Sequence, residues 1–192
     1  MEKDLLAILL RSENTVFTFK DLSLIWNETN TGLVKKYAYR YVKMGKLYSI
    51  RKGVYAKDRN YDRLELANKI FTPAYVSFET VLAREGVVFQ KYDRIFVASY
   101  LTREVSCDGQ LFAFRRIKNT VLLNASGIDN NGTYFIASKE RAFLDTVYLN
   151  KSYHFDNLSS MNWEECFKLL PMYDNQAMVK RLNSYYKLSK NA

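Results

Sequence analysis

The chain has 192 residues, 48% of them hydrophobic and 26% charged, with a formal net charge of +9. That composition supplies a packed core for one large domain or two small ones and excludes a disordered polypeptide. Its apolar runs fall far short of the roughly 18 residues a membrane span needs, and Cys107 and Cys166 are too far apart for metal-ligand spacing, so they read as reduced thiols of a cytoplasmic protein.

The opening Met1-Glu2-Lys3-Asp4 sets acids ahead of a short apolar run, which is not a secretory signal. Leu5, Leu6, Ile8, Leu9 and Leu10 predict a short first helix. In TFKDLSLIWN (18–27), Thr18 is placed to cap a second helix, and Asp21 occupies the reciprocal position of a capping box. Leu22, Ile25 and Trp26 then recur at helical spacing. The sequence ETNTG (28–32), rich in capping residues, ends that helix and starts a third near Asn30 or Thr31.

The third helix, 31–44, divides by angle at about 100° per residue. Val34, Ala38, Tyr41 and Val42 fall on a core side. Lys36, Arg40 and Lys43 fall opposite, with Tyr39 beside them and Lys35 nearer the boundary. Next, LYSIRKGVYAK (47–57) has the spacing of a hairpin with Gly53 in its turn and Arg51 and Lys52 at its tip. A solvated turn explains two cations there, but the surroundings argue for more. Between Glu28 and Asp58 there is no acid, yet there are eight bases: Lys35, Lys36, Arg40, Lys43, Lys46, Arg51, Lys52 and Lys57. Residues 1–60 carry 12 Lys/Arg against 6 Asp/Glu, or +6 of the total +9.

Helix, helix–turn–helix and hairpin, in that order, predict a winged helix-turn-helix over residues 1–59. In that arrangement the third helix enters the major groove of double-stranded DNA, and the wing touches flanking phosphates. Arg51 and Lys52 would then grip the backbone, while Lys36, Arg40, Lys43 and Lys46 line the groove walls. Thr31, Lys35 and Tyr39 are the candidate base readers. Plain packing is the alternative for Tyr39.

Residues 60–192 predict an α+β domain with an antiparallel sheet. A helix spans NYDRLELANKIF (60–71), and Thr72-Pro73 marks a turn. No Gly/Ser-rich linker precedes them, so the two parts pack together. In YVSFETVLAREGV (75–87), Ser77 caps a helix that Gly86 ends. Residues 94–123 read as strands, with Asp108-Gly109 as a hairpin turn. TYFIASKERAFLDTVYL (133–149) gives a strand and then a helix capped by Ser138, with Glu140 in its first turn. Two more helices, about 162–169 and 174–188, flank Pro171.

RKGVYA, TPAYVSFETVLAREGV and IASKERAFLDTVYL, in this order and at these distances, resemble the AbiEi family of bacterial antitoxins over roughly residues 5–150. The order and spacing carry the likeness rather than any single motif. It departs at AREG (83–86), where the family has a more aromatic or His-bearing helix end. The resemblance implies an N-terminal winged helix-turn-helix that represses its own operon at inverted repeats, bound by two copies. It also implies a C-terminal domain that neutralises an adjacent nucleotidyltransferase-like toxin, a type IV pairing without required contact. Arg103, Arg115, Arg116 and Lys118 form either a solvated, charge-protected sheet face or a basic patch that meets toxin, RNA or the toxin's product.

No catalytic site, metal site, cofactor or membrane contact is expected. His154 is the single histidine and reads as a partly packed loop residue. Asp145, on a helix apolar nearly all round, reads as an ion-pair partner of Arg141 one turn earlier. The alternatives are a regulator whose C-terminal half senses a ligand in an enclosed apolar pocket, and a nucleic-acid-processing enzyme.

Overall fold

The structure, a computed structural model, describes residues 5–190. The Met1–Asp4 segment weighed above as a leader lies outside the described residues.

The N-terminal unit begins with α1 (Leu5–Leu10), β1 (Val16–Thr18) and α2 (Phe19–Trp26). Thr18 makes the expected capping box: its Oγ1 accepts from the Asp21 amide at 3.2 Å, and its own amide donates to Asp21 Oδ2 at 2.8 Å. Asn27 ends α2 in the left-handed region at φ 49°. Asn30 then caps α3 (Thr31–Lys43), its side chain accepting from the Gly32 and Leu33 amides. β2 (Tyr48–Arg51) and β3 (Val54–Ala56) form the predicted hairpin. Gly53 is required twice over at its tip: φ is +80°, and a Cβ there would meet the Phe19 ring at 3.1 Å.

These strands form an antiparallel sheet in the order β1-β3-β2. Strand β1 was not among the predicted elements. At three residues it is too short to show an alternating pattern, and its last residue doubles as the helix cap. Leu9, Phe17, Leu22, Trp26, Val34, Ala38 and Tyr41 pack the core between sheet and helices. The opposite face sends Val16, Val54 and Ala56 into the core of the C-terminal half. Both faces of the small sheet are therefore covered, and the two halves pack together as expected.

In that second half, α4 (Arg63–Ile70) starts at the Asp62 cap, and the Thr72-Pro73 turn leads into β4 (Ala74–Val76). There follow α5 (Glu79–Arg84), β5 (Arg94–Ser99), β6 (Arg103–Cys107), β7 (Gln110–Arg116) and α6 (Asn119–Leu122). The chain closes with β8 (Ile128–Asn130), β9 (Phe135–Ala137), α7 (Lys139–Leu149), α8 (Trp163–Leu169), a 3-10 turn at Leu170–Tyr173 and α9 (Gln176–Lys190). The fold is mixed α and β. Among the described residues no helix is long and apolar enough to cross a membrane.

Three predictions need correction. The six-stranded sheet, ordered β6-β7-β5-β4-β9-β8, is mixed rather than antiparallel, because β5–β7 and β4–β9 run parallel. The 100–102 connection throws β6 outside β7, so the Asp108-Gly109 hairpin closes back beside β5 in the parallel sense. Residues Asn119–Leu122 are a helical turn, not strand. Ser77 does not cap α5: the N-cap is Phe78 at φ 55°, and the buried Ser77 hydroxyl donates instead to Asp145.

Candidate nucleic-acid interface

On α3 the inward side chains Val34, Ala38 and Tyr41 are buried and Val42 is half-buried, as their angular positions require. Thr31, Lys35, Lys36, Tyr39, Arg40 and Lys43 are exposed, as are Lys46, Arg51 and Lys52 beyond the helix. Tyr39 is 61% exposed, so packing in the core does not explain it. The Lys43 ammonium lies 5.1 Å from its ring centroid, and Lys35 lies 5.9 Å from the Phe19 ring at the base of the hairpin tip. Arg40 departs from the rest. Its guanidinium lies 5.5 Å from the Tyr37 ring and 5.4 Å from Tyr41, which draws it toward the flank of the helix.

Among the described residues, no ion pair involves any of the eight cations between Glu28 and Asp58. Such a surface keeps its positive potential unneutralised by ion pairs of the described residues. The structure adds Arg59, whose guanidinium lies 5.3 Å from the Tyr48 ring on β2. Asp58, the acid immediately before it, accepts from the Asn60 amide.

The unit is held to the C-terminal half at two places. Glu65, wholly buried on α4, accepts from the Thr15 amide at 2.8 Å and the Thr15 hydroxyl at 2.7 Å through Oε2, while Oε1 faces the Lys69 ammonium at 3.2 Å. Lys69 also donates to Val16 O at 2.7 Å and to Asp21 at 3.1 Å, reaching β1 and α2 together. At the other end, Asp108 on the β6–β7 turn accepts from Tyr48 Oη at 2.8 Å and Tyr61 Oη at 2.7 Å. Those hydroxyls, with Arg63 3.2 Å away, hold its carboxyl below the usual aspartate range. The hydrogen bond to Asp108 in turn raises the Tyr48 hydroxyl.

The C-terminal basic residues are not gathered into one patch. Arg115 and Arg116 point to opposite faces of β7. Arg115 Nη1 donates to both carboxylate oxygens of the nearly buried Glu79 at 3.0 and 2.8 Å, and its guanidinium lies 4.3 Å from the Phe96 ring. Arg103 sits opposite Phe114 on the edge strand, on the same face as Arg116, and Lys118 lies 3.7 Å from Asp174. An open cavity of about 600 Å³ beside β6 mixes apolar and charged lining, with Tyr92, Phe96, Arg94, Arg103, Glu104 and Arg115 among its walls.

The Asp145–Arg141 pair forms as expected and is wholly buried. Asp145 accepts from Arg141 Nε at 3.3 Å, Tyr173 Oη at 2.7 Å, Ser77 Oγ at 2.8 Å and Tyr75 Oη at 3.0 Å. Arg141 spends its other donors on Val121 O, Ser126 O and Tyr75. Burial pushes the Asp145 carboxyl up, and the guanidinium and three hydroxyls pull it back. Every strong donor and acceptor is satisfied internally, and no solvent reaches the pair, so the cluster is built to hold α7 against the sheet. His154 is exposed rather than partly packed, 3.6 Å from Asp156. Among the described residues no group of three or more His, Cys, Asp or Glu is placed to hold a metal ion.

No protein-family model matches the chain, and no curated protein matches it.

Proposed function

We propose that the N-terminal unit is a winged helix-turn-helix that binds double-stranded DNA, with α3 in the major groove and the β2–β3 tip as its wing. The observation that carries this reading is the cationic surface of α3 and the hairpin, whose Lys and Arg side chains form no ion pair among the described residues. The strand order β1-β3-β2 supports it, because it places the hairpin tip beside the start of α2 and next to Lys35. Lys36, Lys43, Lys46, Arg51 and Lys52 contact phosphates; Thr31, Lys35 and Tyr39 face base edges; Arg40 orients from the flank.

The second role rests on the motif order that resembles the AbiEi antitoxins. In this reading the protein is a bacterial cytoplasmic repressor-antitoxin without catalysis of its own. Two copies occupy inverted repeats upstream of their operon, and the C-terminal half neutralises an adjacent nucleotidyltransferase-like toxin without needing to touch it. Arg103, Arg116 and Lys118 remain exposed for that half's partner, whereas Arg115 is committed to Glu79.

Expressing the full chain beside a reporter driven by the region upstream of its own gene, with and without the neighbouring gene, tests both roles. Repression together with relief of the neighbour's growth arrest supports the reading. A harmless neighbour removes the antitoxin role and leaves a regulator. An unrepressed reporter removes the DNA-binding role.

A further inference from the structure

We infer that Asp108, in the C-terminal half, is a positioning residue for the wing, so that the β6–β7 hairpin belongs to the DNA-binding device. This rests on the DNA-binding reading above and goes beyond it, because it makes wing geometry a property of the other half of the chain.

The wing needs outside support. Strand β2 is four residues long, pairs with β3 alone, and carries a bulge between Ser49 and Arg51. β1 steadies β3 from its other side, but β2 is an open edge of the three-stranded sheet. Its cations can grip phosphates at fixed spacing only if the strand is held from another side. Asp108 supplies that hold. One carboxylate oxygen accepts from Tyr48 on β2, and the other accepts from Tyr61 and faces Arg63. The Tyr48 and Tyr61 rings stack 6.4 Å apart at 25°, Arg59 covers Tyr48, and Arg63 covers Tyr61 at 4.5 Å. The result is a column of two stacked rings, each met by a guanidinium, with one carboxylate bridging the two hydroxyls.

The turn itself does not require the charge. Asp108 at φ 49° and Gly109 at φ 74° form a tight turn in which Asn is at least as well accommodated. The carboxylate is explained by what it accepts, since a side-chain amide offers one acceptor oxygen where the column uses two. A wing held in place before DNA arrives loses less freedom on binding. The effect is reciprocal: DNA that holds the wing must also steady the β6–β7 hairpin.

Asp108→Asn keeps the turn and breaks the bridge, and Tyr48→Phe removes a single hydroxyl from the same bridge. The full-length variants are compared with the unaltered chain by anisotropy on the upstream duplex and on a scrambled one across a salt series. Amide exchange over residues 48–54 is followed without DNA. We expect affinity for the upstream duplex to fall roughly tenfold, the size of one lost charge-assisted hydrogen bond. The salt slope should flatten by about one unit as a phosphate contact is lost. Exchange should quicken in the hairpin more than in the rest of the chain, beyond any small drop in melting temperature. A merely structural role would quicken exchange throughout the chain and leave the salt slope alone. Unchanged affinity, slope and exchange in both variants overturn the inference while DNA binding stands. If the unaltered chain binds neither duplex, the DNA reading fails, and the positioning role with it.

Discussion

The cations of the two halves of this chain live in different company. In the C-terminal half Arg63, Lys69, Arg94, Arg115, Arg141 and Lys168 each lie within ion-pair distance of a carboxylate, from the exposed Lys168–Glu165 pair to the buried Arg141–Asp145 pair. Between Glu28 and Asp58 the cations meet rings and a backbone carbonyl, and among the described residues none lies within ion-pair distance of a carboxylate. The first group spends its charge on the fold. The second leaves it unneutralised, at the cost of self-repulsion that a bound anion would relieve, as the proposed DNA contact would do. Removing one of those paired cations should therefore damage stability, and removing one from α3 or the wing should damage binding.

The largest effect expected is on stability. Asp145→Ala leaves a wholly buried guanidinium without its counter-charge, which costs about 3–5 kcal/mol. Urea unfolding should show this as a lower midpoint, while the folded fraction keeps its DNA affinity. Full stability in that variant would remove the distinction drawn here. The converse experiment is Lys36→Ala with Lys43→Ala, which should change stability by less than about 0.5 kcal/mol each while weakening DNA binding severely in the same preparation. Arg51→Ala with Lys52→Ala should flatten the salt slope by about two units through lost counter-ion release. An unchanged slope would take the wing out of the interface. Tyr39→Ala sharpens the picture further: if the ring reads a base, discrimination between operator and scrambled duplex falls by about 1–3 kcal/mol. Uniform weakening on both duplexes would make Tyr39 a general contact.

Much of the N-terminal unit was legible in the sequence because its signals are local. Thr18 with Asp21, Asn30 before Thr31, and Gly53 between two strands each act within a few residues. The basic face was legible for the same reason, since helical periodicity sorts Lys36 and Lys43 from Val34 and Ala38 without any tertiary knowledge. What could not be read was set by distant partners. Glu65 looks like a solvated helix residue until Thr15, fifty positions away, turns it into a buried anchor. Ser77 has the sequence context of a cap, but Asp145, 68 positions on, claims its hydroxyl. Arg115 resembles an open strand cation, yet Glu79 and the Phe96 ring hold it. Strand direction in the six-stranded sheet follows from chain routing, which alternation of side chains does not encode.

Two smaller effects complete the set. Thr18→Ala removes the cap of α2 and should cost about 1 kcal/mol, visible in urea unfolding. The acid limb of stability should carry the mark of Asp108, whose carboxyl is held below its ordinary range. The folded state then favours the ionised form, so this stabilisation is present above the ordinary aspartate value and is lost as pH falls through the lowered one. Stability curves of the unaltered chain and Asp108→Asn should differ near neutrality and converge in acid. Parallel curves down to the lowest pH would detach Asp108 from the fold's energetics.

The most direct measurement is an anisotropy titration of the full-length chain against the duplex upstream of its own gene, from about 50 to 200 mM salt. We predict tight binding at low salt and a log–log slope of roughly −5 per bound copy, as five or six phosphate contacts in each require. The absence of binding, or a slope near zero, would contradict the claim that the unpaired cations of α3 and the wing exist to hold DNA.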